Sequence, residues 1–355
     1  ISMEVCILGN NLTSLTLAKT LVNQGIYVDI FSTNHNQRID KNRTLGISKK
    51  NIDFFNKNIL NIDKLLWDID KIEIYSENLN DKKILNFTDV EKLFSIIKNK
   101  ELIEHLLSKL KKDKLCKFKK IKTSSNLIEK DYKLIINCDF KNSITKKFFY
   151  NQLKKKYNSF AYTTIIKHEK IRNNVAKQFF TSRGPLAFLP ISNTETSVVF
   201  SVRGKEKIDL EAYIKKYKTE YKITFIGKSS CVELKSSNLR SYHYKNILAF
   251  GDLLHKIHPL AGQGFNMTLR DIREIFNLIK FKKNNGLDLD SSICYEFEKR
   301  MRHKNYLFSN GIDFIYEFFI LENKIKSNLF SQSLKIIGSN KLINNFFKKV
   351  ADNGI

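Results

Sequence analysis

Proline and cysteine are scarce in this chain, with three and five in 355 residues, and glycine, at thirteen, is thinly used. Without runs of proline, glycine or serine there is no linker to divide the chain, and no internal repeat is visible. The cysteines (Cys6, Cys116, Cys138, Cys231, Cys294) are far apart, odd in number and form no C-x-x-C pair. That excludes a disulfide framework or zinc site and predicts reduced core thiols in a cytoplasmic protein. No uninterrupted apolar stretch is long enough to span a bilayer. The late segment "IDFIYEFFIL" is broken by Asp313 and Glu317, so a membrane would be met only peripherally, at its inner face. "ISMEVCILGN" runs straight into a strand pattern, and no signal peptide is expected.

Acidic residues are also in short supply, 36 against 62 Lys and Arg, for a formal net charge of +26. Such a balance points to an anionic partner, or to background composition, since the lysines are spread along the whole chain. No basic block carries a stacking motif, and no nucleic-acid partner is expected. An anionic membrane surface stays open, as do other proteins and a second copy of the chain.

With 42% apolar residues the chain is expected to fold around a large core. "EVCIL" reads as a buried strand ending at Gly9, Leu12 to Val22 as a helix ended by Gly25, and "IYVDIF" as a second strand. This is a βαβ unit. The stretch 43–130 reads as mainly helical, with "VEKLFSIIKNKELIEHLLSKLKK" a long amphipathic example. "YKLIINC" is a strand, and from 157 to 202 the pattern turns to short antiparallel strands. "DLEAYIKKYK" is a helix with an acidic cap, "YKNILAFGD" a buried strand ending at Asp252, and "GFNMTLRDIREIFNLIKFKK" an amphipathic helix. Helices follow from Asp290. The fold class is α/β, with a Rossmann-like domain (1–70, 90–150, 245–285), an interleaved β-sheet domain (71–89, 151–244) and a C-terminal helical region (286–355).

One stretch breaks the scarcity. "GDLLHKIHPLAGQGFN", residues 251–266, holds three of the glycines and one proline. An aspartate at the carboxyl end of a parallel strand suits a sugar-like hydroxyl. Gly262 and Gly264 let backbone approach a flat ligand, and the following helix start would stabilise negative charge on an electron-rich ring. His255 and His258, without a third ligand nearby, read as a loop histidine and a packing histidine, not as a metal pair. Arg183 reads as a solvated turn residue.

The pattern G-D-x-x-H-x-x-H-P-x-A-G-Q-G-x-N-x-x-x-R-D resembles the second flavin-binding motif of the FAD-dependent aromatic hydroxylases, and is most similar to their ubiquinone-biosynthesis members. "AKQFFTSRGPLAFLPI", Arg43 in "NRTLGIS", "SNGIDFIYEFF" and "LKIIGSNKLINNFFKKVADNGI" extend the resemblance over nearly the whole chain. The resemblance implies that the first domain binds FAD and the β-sheet domain binds substrate. It gives Asp252 a ribityl hydroxyl, packs Pro259 near the isoalloxazine, and turns the backbone of Gly262, Gln263, Gly264, Phe265 and Asn266 to the flavin pyrimidine edge. It also implies NAD(P)H as donor, and a flavin C4a-hydroperoxide that hydroxylates a polyprenylated phenol.

The first motif departs from the family. Where G-x-G-x-x-G is expected the chain has Gly9, Asn11 and Ser14, and Ser32 stands for the ribose-binding acid. Phe140 replaces a glycine, and Leu253 and Leu254 replace small residues. Asn11 tolerates left-handed backbone and a serine hydroxyl can bond ribose, so each change is survivable. Two readings follow: an active FAD monooxygenase of ubiquinone synthesis, or a flavin-deficient relative retained as an assembly or lipid-presenting subunit. The aromatic faces of "FIYEFFIL" and "LINNFFKKV", beside lysines, suit an anionic interface, a packed helix or a subunit contact.

Overall fold

The computed structural model describes residues 4–32, 41–77, 82–88, 94–120, 132–204, 208–217, 220–256 and 263–325. In chain order the elements are β1 (Glu4–Leu8), α1 (Leu12–Val22), β2 (Tyr27–Ser32), β3 (Thr44–Ser48), α2 (Lys49–Asn58), β4 (Trp67–Ile69), β5 (Lys71–Ser76), β6 (Lys82–Thr88), β7 (Phe94–Lys98), α3 (Asn99–Leu110), β8 (Cys116–Lys120) and β9 (Ile135–Asn137). Then come α4 (Ser143–Phe148), β10 (Gln152–His168), β11 (Val175–Thr181), β12 (Gly184–Pro190), β13 (Glu195–Arg203), α5 (Leu210–Tyr217), β14 (Ile223–Ile226), β15 (Ser230–Leu239), β16 (His243–Tyr244), β17 (Ile247–Ala249), β18 (His255–Lys256), α6 (Gln263–Asn284) and α7 (Ser291–Ile325).

The first sheet runs β16-β17-β9-β1-β2-β8 and is parallel except at its β16 edge. Its inner strands β1, β9 and β17 are largely apolar and buried along most of their length, as expected for a parallel sheet enclosed in the core. Val5, Ile7, Ile30, Ile136 and Leu248 are fully enclosed with Leu15, Leu21 and Leu106 from α1 and α3. The βαβ reading holds, and Gly25 turns at φ +75° where α1 hands over to β2.

A second, nine-stranded sheet holds β18-β15-β10-β13-β12-β11-β5-β6, with β14 also on β10. It is antiparallel apart from the β11–β5 pair, and one face packs on α5 through Phe188, Phe200 and Ile214. Asp209 caps α5 by accepting from the Ala212 amide at 3.1 Å, as its acidic start suggested. β10 carries a bulge between Lys156 and Ser159, with Asn158 at φ +50°.

The expectation of helix across 43–130 is corrected. The described part of that stretch holds six strands (β3 to β8) as well as α2 and α3. "FSIIK" is the middle strand of a small antiparallel sheet, β3-β7-β4, and α3 starts only at Asn99. A short apolar run buried on both faces has no period that separates strand from helix, and here the neighbouring strands decide. From 290 the helix α7 runs to Ile325, and 326–355 lie outside the described residues.

Candidate functional site

Four chain segments leave the carboxyl edge of the parallel sheet side by side. Gly9 follows β1, Ser32 ends β2, Asp139 follows β9, and Asp252 follows β17. This edge is where open α/β sheets bind ligands. Gly9 is at φ +114°, and a Cβ there would lie 3.4 to 3.5 Å from Cys138 and Asp139, so the backbones of the two turns nearly touch.

Asp252 is placed by its neighbour. Gly251 is at φ +67°, and a Cβ on it would lie 2.6 Å from Cγ2 of Thr13. Only glycine lets this turn close onto the first turn of α1. The carboxylate of Asp252 stays half-exposed there. Asp139 is buried and its Oδ1 accepts from the Lys141 amide at 2.8 Å. Burial pushes the intervening Cys138 thiol up, and the charges of Asp139 and Asp252 push it further, which leaves it unreactive. Asp139 is a site residue that the sequence motifs do not single out, although "NCDF" puts a carboxylate at a strand end, and the motif opening on Gly251 does not show its contact with Thr13.

The turn after β9 is built from amides. Asn137 Oδ1 accepts from the Asp139 amide at 3.1 Å and from Asn142 Nδ2 at 2.8 Å. Asn142 caps α4 by accepting from the Thr145 amide at 2.7 Å. This mesh fixes the turn without the family's glycine, and Phe140 projects from it into solvent. Leu253 and Leu254, which replace small residues, are buried in the main core.

Asn11 and Ser14 are not relaxed substitutes for glycine. Asn11 is extended, at φ −111°, and caps α1, so left-handed tolerance is not what it supplies. Its side chain accepts from the Ser14 amide at 3.0 Å, and its own amide donates to Ser14 Oγ at 2.8 Å, a reciprocal capping box. Ser32, half-buried, lies opposite Lys120 in the β2–β8 pair.

The "GQGFN" motif is split by the structure. Pro259 and Gly262, with His258, lie outside the described residues. α6 begins at Gln263, so Gly264 is inside the first turn and not ahead of it. Among the described residues, a Cβ on Gly264 would meet nothing within 4 Å. Phe265 is buried in the core. Asn266 fastens α6 to its neighbours: Nδ2 donates to Gly46 O at 2.9 Å, and Oδ1 accepts from the Ser48 amide at 3.1 Å and Asn51 Nδ2 at 2.9 Å. The role of that side chain is structural bridging.

His255 is not a loop residue. It lies on β18, opposite Asn238 of β15, and its Nε2 meets Asp271 Oδ2 of α6 with both side chains buried. Next to Asp271 in sequence, Arg270 reaches Asn305 of α7. No cluster of three metal-ligating side chains is found among the described residues. Arg43 is exposed just ahead of β3; the residues around it, Asn42 and Thr44, bond Lys228 O at 2.8 Å and Ser197 Oγ at 3.0 Å. Arg43 therefore stands where the small sheet meets the nine-stranded one. Arg183 is exposed in the β11–β12 turn.

These groups fit a flavin along the edge. Asp252 can accept a hydroxyl, Gly264 carries no side chain to crowd a flat ring, and the start of α6 favours negative charge.

No family model matches the chain. Ubiquinone biosynthesis monooxygenase COQ6 of Schizosaccharomyces pombe is 22% identical over 334 residues, covering 79% of this chain and 70% of that protein. COQ6 of Danio rerio is 25% identical over 51% of this chain and 47% of its own length. The 3-demethoxyubiquinol 3-hydroxylase of Escherichia coli is 24% identical over 46% and 44%. Thus the chain spans about half the length of the latter two relatives. Among solved structures, Klebsiella pneumoniae HpxO complexed with FAD and uric acid superposes with a TM-score of 0.77 at 12% identity, over 99% of this chain and 96% of that one. p-Nitrophenol 4-monooxygenase PnpA from Pseudomonas putida gives 0.76 at 10% identity, over 99% and 98%. The chain thus has the fold of these FAD-linked and monooxygenase structures, and in sequence it is similar to hydroxylases of ubiquinone biosynthesis.

Proposed function

We propose that this chain is an FAD-dependent monooxygenase that hydroxylates the aromatic ring of a polyprenylated phenol in ubiquinone biosynthesis. The observation that carries the reading is the closure of the Gly251–Asp252 turn onto α1, beside Gly9 and within the motif that leads to Gly264. Bound FAD would take reducing equivalents from NAD(P)H and activate O₂. The chain's own part is to hold and orient: Asp252 accepts a ribityl hydroxyl, and the first turn of α6 stabilises charge on the reduced ring. On this reading residues 1–70, 90–150 and 245–285 form the FAD domain and 71–89 with 151–244 the substrate domain. Arg43 lies at their junction.

The test is the visible spectrum of the purified protein with and without added FAD, then NAD(P)H-dependent O₂ uptake. A prenylated phenol that stimulates uptake supports the reading; flavin-loaded protein that never consumes O₂ with any such phenol overturns it. The second reading, a flavin-deficient subunit of the same pathway, is favoured by one observation, the self-capped start of α1. It expects a colourless protein that ignores FAD yet retains its pathway partners.

A polyprenylated substrate resides in a bilayer, and the edge of the parallel sheet at β16 supports contact with one. Phe148 and Tyr244 stack at 3.9 Å, with Lys147 over the first ring and Lys245 over the second. Tyr150 and Tyr295 are exposed nearby. Amphipathic rings beside lysines suit an anionic headgroup layer. Among the described residues no helix is long and apolar enough to cross a membrane. Sedimentation with anionic but not neutral vesicles, lost at high salt, is expected; equal binding to both removes the electrostatic contact. The aromatic segments expected to make it lie in the undescribed end of the chain or on α7 positions whose side chains are not described.

A further inference from the structure

The first turn of α1 is the place where this fold presents backbone amides to the pyrophosphate of a dinucleotide. In this chain the turn is already closed by its own side chains. The Asn11 amide donates to Ser14 Oγ at 2.8 Å, and the Ser14 amide donates to Asn11 Oδ1 at 3.0 Å. Ser14 Oγ donates to Asn11 O at 2.8 Å, and Asn11 Nδ2 donates to Cys138 O at 2.8 Å. Two amides at the helix start are thus satisfied before any ligand arrives. Asn11 Oδ1 also sets the negative end of a carbonyl dipole where a phosphate would need positive potential. Releasing Asn11 would break hydrogen bonds worth about 1 kcal/mol each. The two remaining amides belong to Leu12 and Thr13, both buried residues, the second under the Gly251 turn.

The ribose end is changed in the same direction. Ser32 at the end of β2 is a single neutral hydroxyl, where a carboxylate would bind both ribose oxygens. By contrast the flavin end keeps a half-exposed carboxylate at Asp252 and a residue without a side chain at Gly264.

We infer that this chain takes its flavin affinity from the isoalloxazine and ribityl half of the ligand, so that FMN binds about as well as FAD. The inference rests on the flavin-binding reading above. It is tested by fluorescence-quenching and calorimetric titration of the full chain, freed of flavin, with FAD, FMN and ADP separately. The expected result is dissociation constants for FAD and FMN within about tenfold of each other, with no displacement of either by ADP. Asn11→Gly is expected to tighten FAD several-fold and leave FMN unchanged, with circular dichroism confirming that the variant folds. FAD bound about a hundredfold or more tighter than FMN, with ADP competing, overturns the inference and leaves the flavin reading standing. A wild-type chain that binds neither flavin overturns both.

Discussion

Gly251 and Thr13 touch across the top of the parallel sheet, the α-carbon of one so close that an added Cβ would stand 2.6 Å from Cγ2 of the other. The contact joins the second motif of the chain to the first. Gly251→Ala is therefore expected to destabilise the fold by roughly 2 to 4 kcal/mol, combining overpacking with a left-handed backbone. Thr13→Ala in the same chain should recover only the steric part. Urea unfolding of the two single variants and the double variant measures this, and full recovery would mean that backbone conformation contributes nothing.

The buried His255–Asp271 pair ties the end of the β17 motif to α6. Removing either partner strands the other in the core, and each single alanine variant should cost roughly 3 kcal/mol. The double variant should cost much less than the two singles added together. A double-mutant cycle showing simple additivity would rule out a direct pair.

Asp29 lies buried on β2 with Lys119 and Tyr132 donating to it. Burial by itself would raise this carboxyl, but the hydrogen bonds from Lys119 and Tyr132 outweigh it and hold it below the usual range. A depressed carboxyl stabilises the fold above its unfolded pKa, near 4, and the contribution is lost as pH falls through the lower folded value. Glu4, raised first by desolvation and then by the charge of Asp29, acts in the opposite sense. Asp29→Asn should cost about 2 kcal/mol near neutral pH, and much less in acid. Parallel unfolding curves at pH 7 and pH 3 check it; a pH-independent loss would contradict the linkage.

If Asp252 accepts a ribityl hydroxyl, Asp252→Ala should weaken FAD and FMN binding alike, by roughly tenfold, with little change in stability because the side chain is half-exposed. Flavin fluorescence titration beside thermal unfolding separates the two effects. Unchanged affinity would remove Asp252 from the site.

Much of this was legible because local chemistry is strong where the ligand is expected. "EVCILG" and "ILAFGD" each show a short apolar run that stops at a glycine, and it is that early stop, with the turn residues around it, that marks a buried strand. "FSIIK" was not legible. Its run is as apolar as a helix face, and only pairing with β3 and β4 makes it a strand. His255 was misplaced for the same reason, since the two-residue pairing with β15 that buries it is remote in sequence.

The sequence by itself determined the βαβ start and the antiparallel run from 157 to 202, both set by short-range periodicity and backbone freedom. Tertiary structure alone decided what the departures mean. Asn11 and Ser14 look like tolerated replacements until Cys138 and the Gly251 turn close around them, and then they become a cap that occupies the helix start. The Asn11–Ser14 bonds are local, three residues apart, but the bond to Cys138 O and the closure under Gly251 join segments more than a hundred residues apart, and no local pattern encodes those.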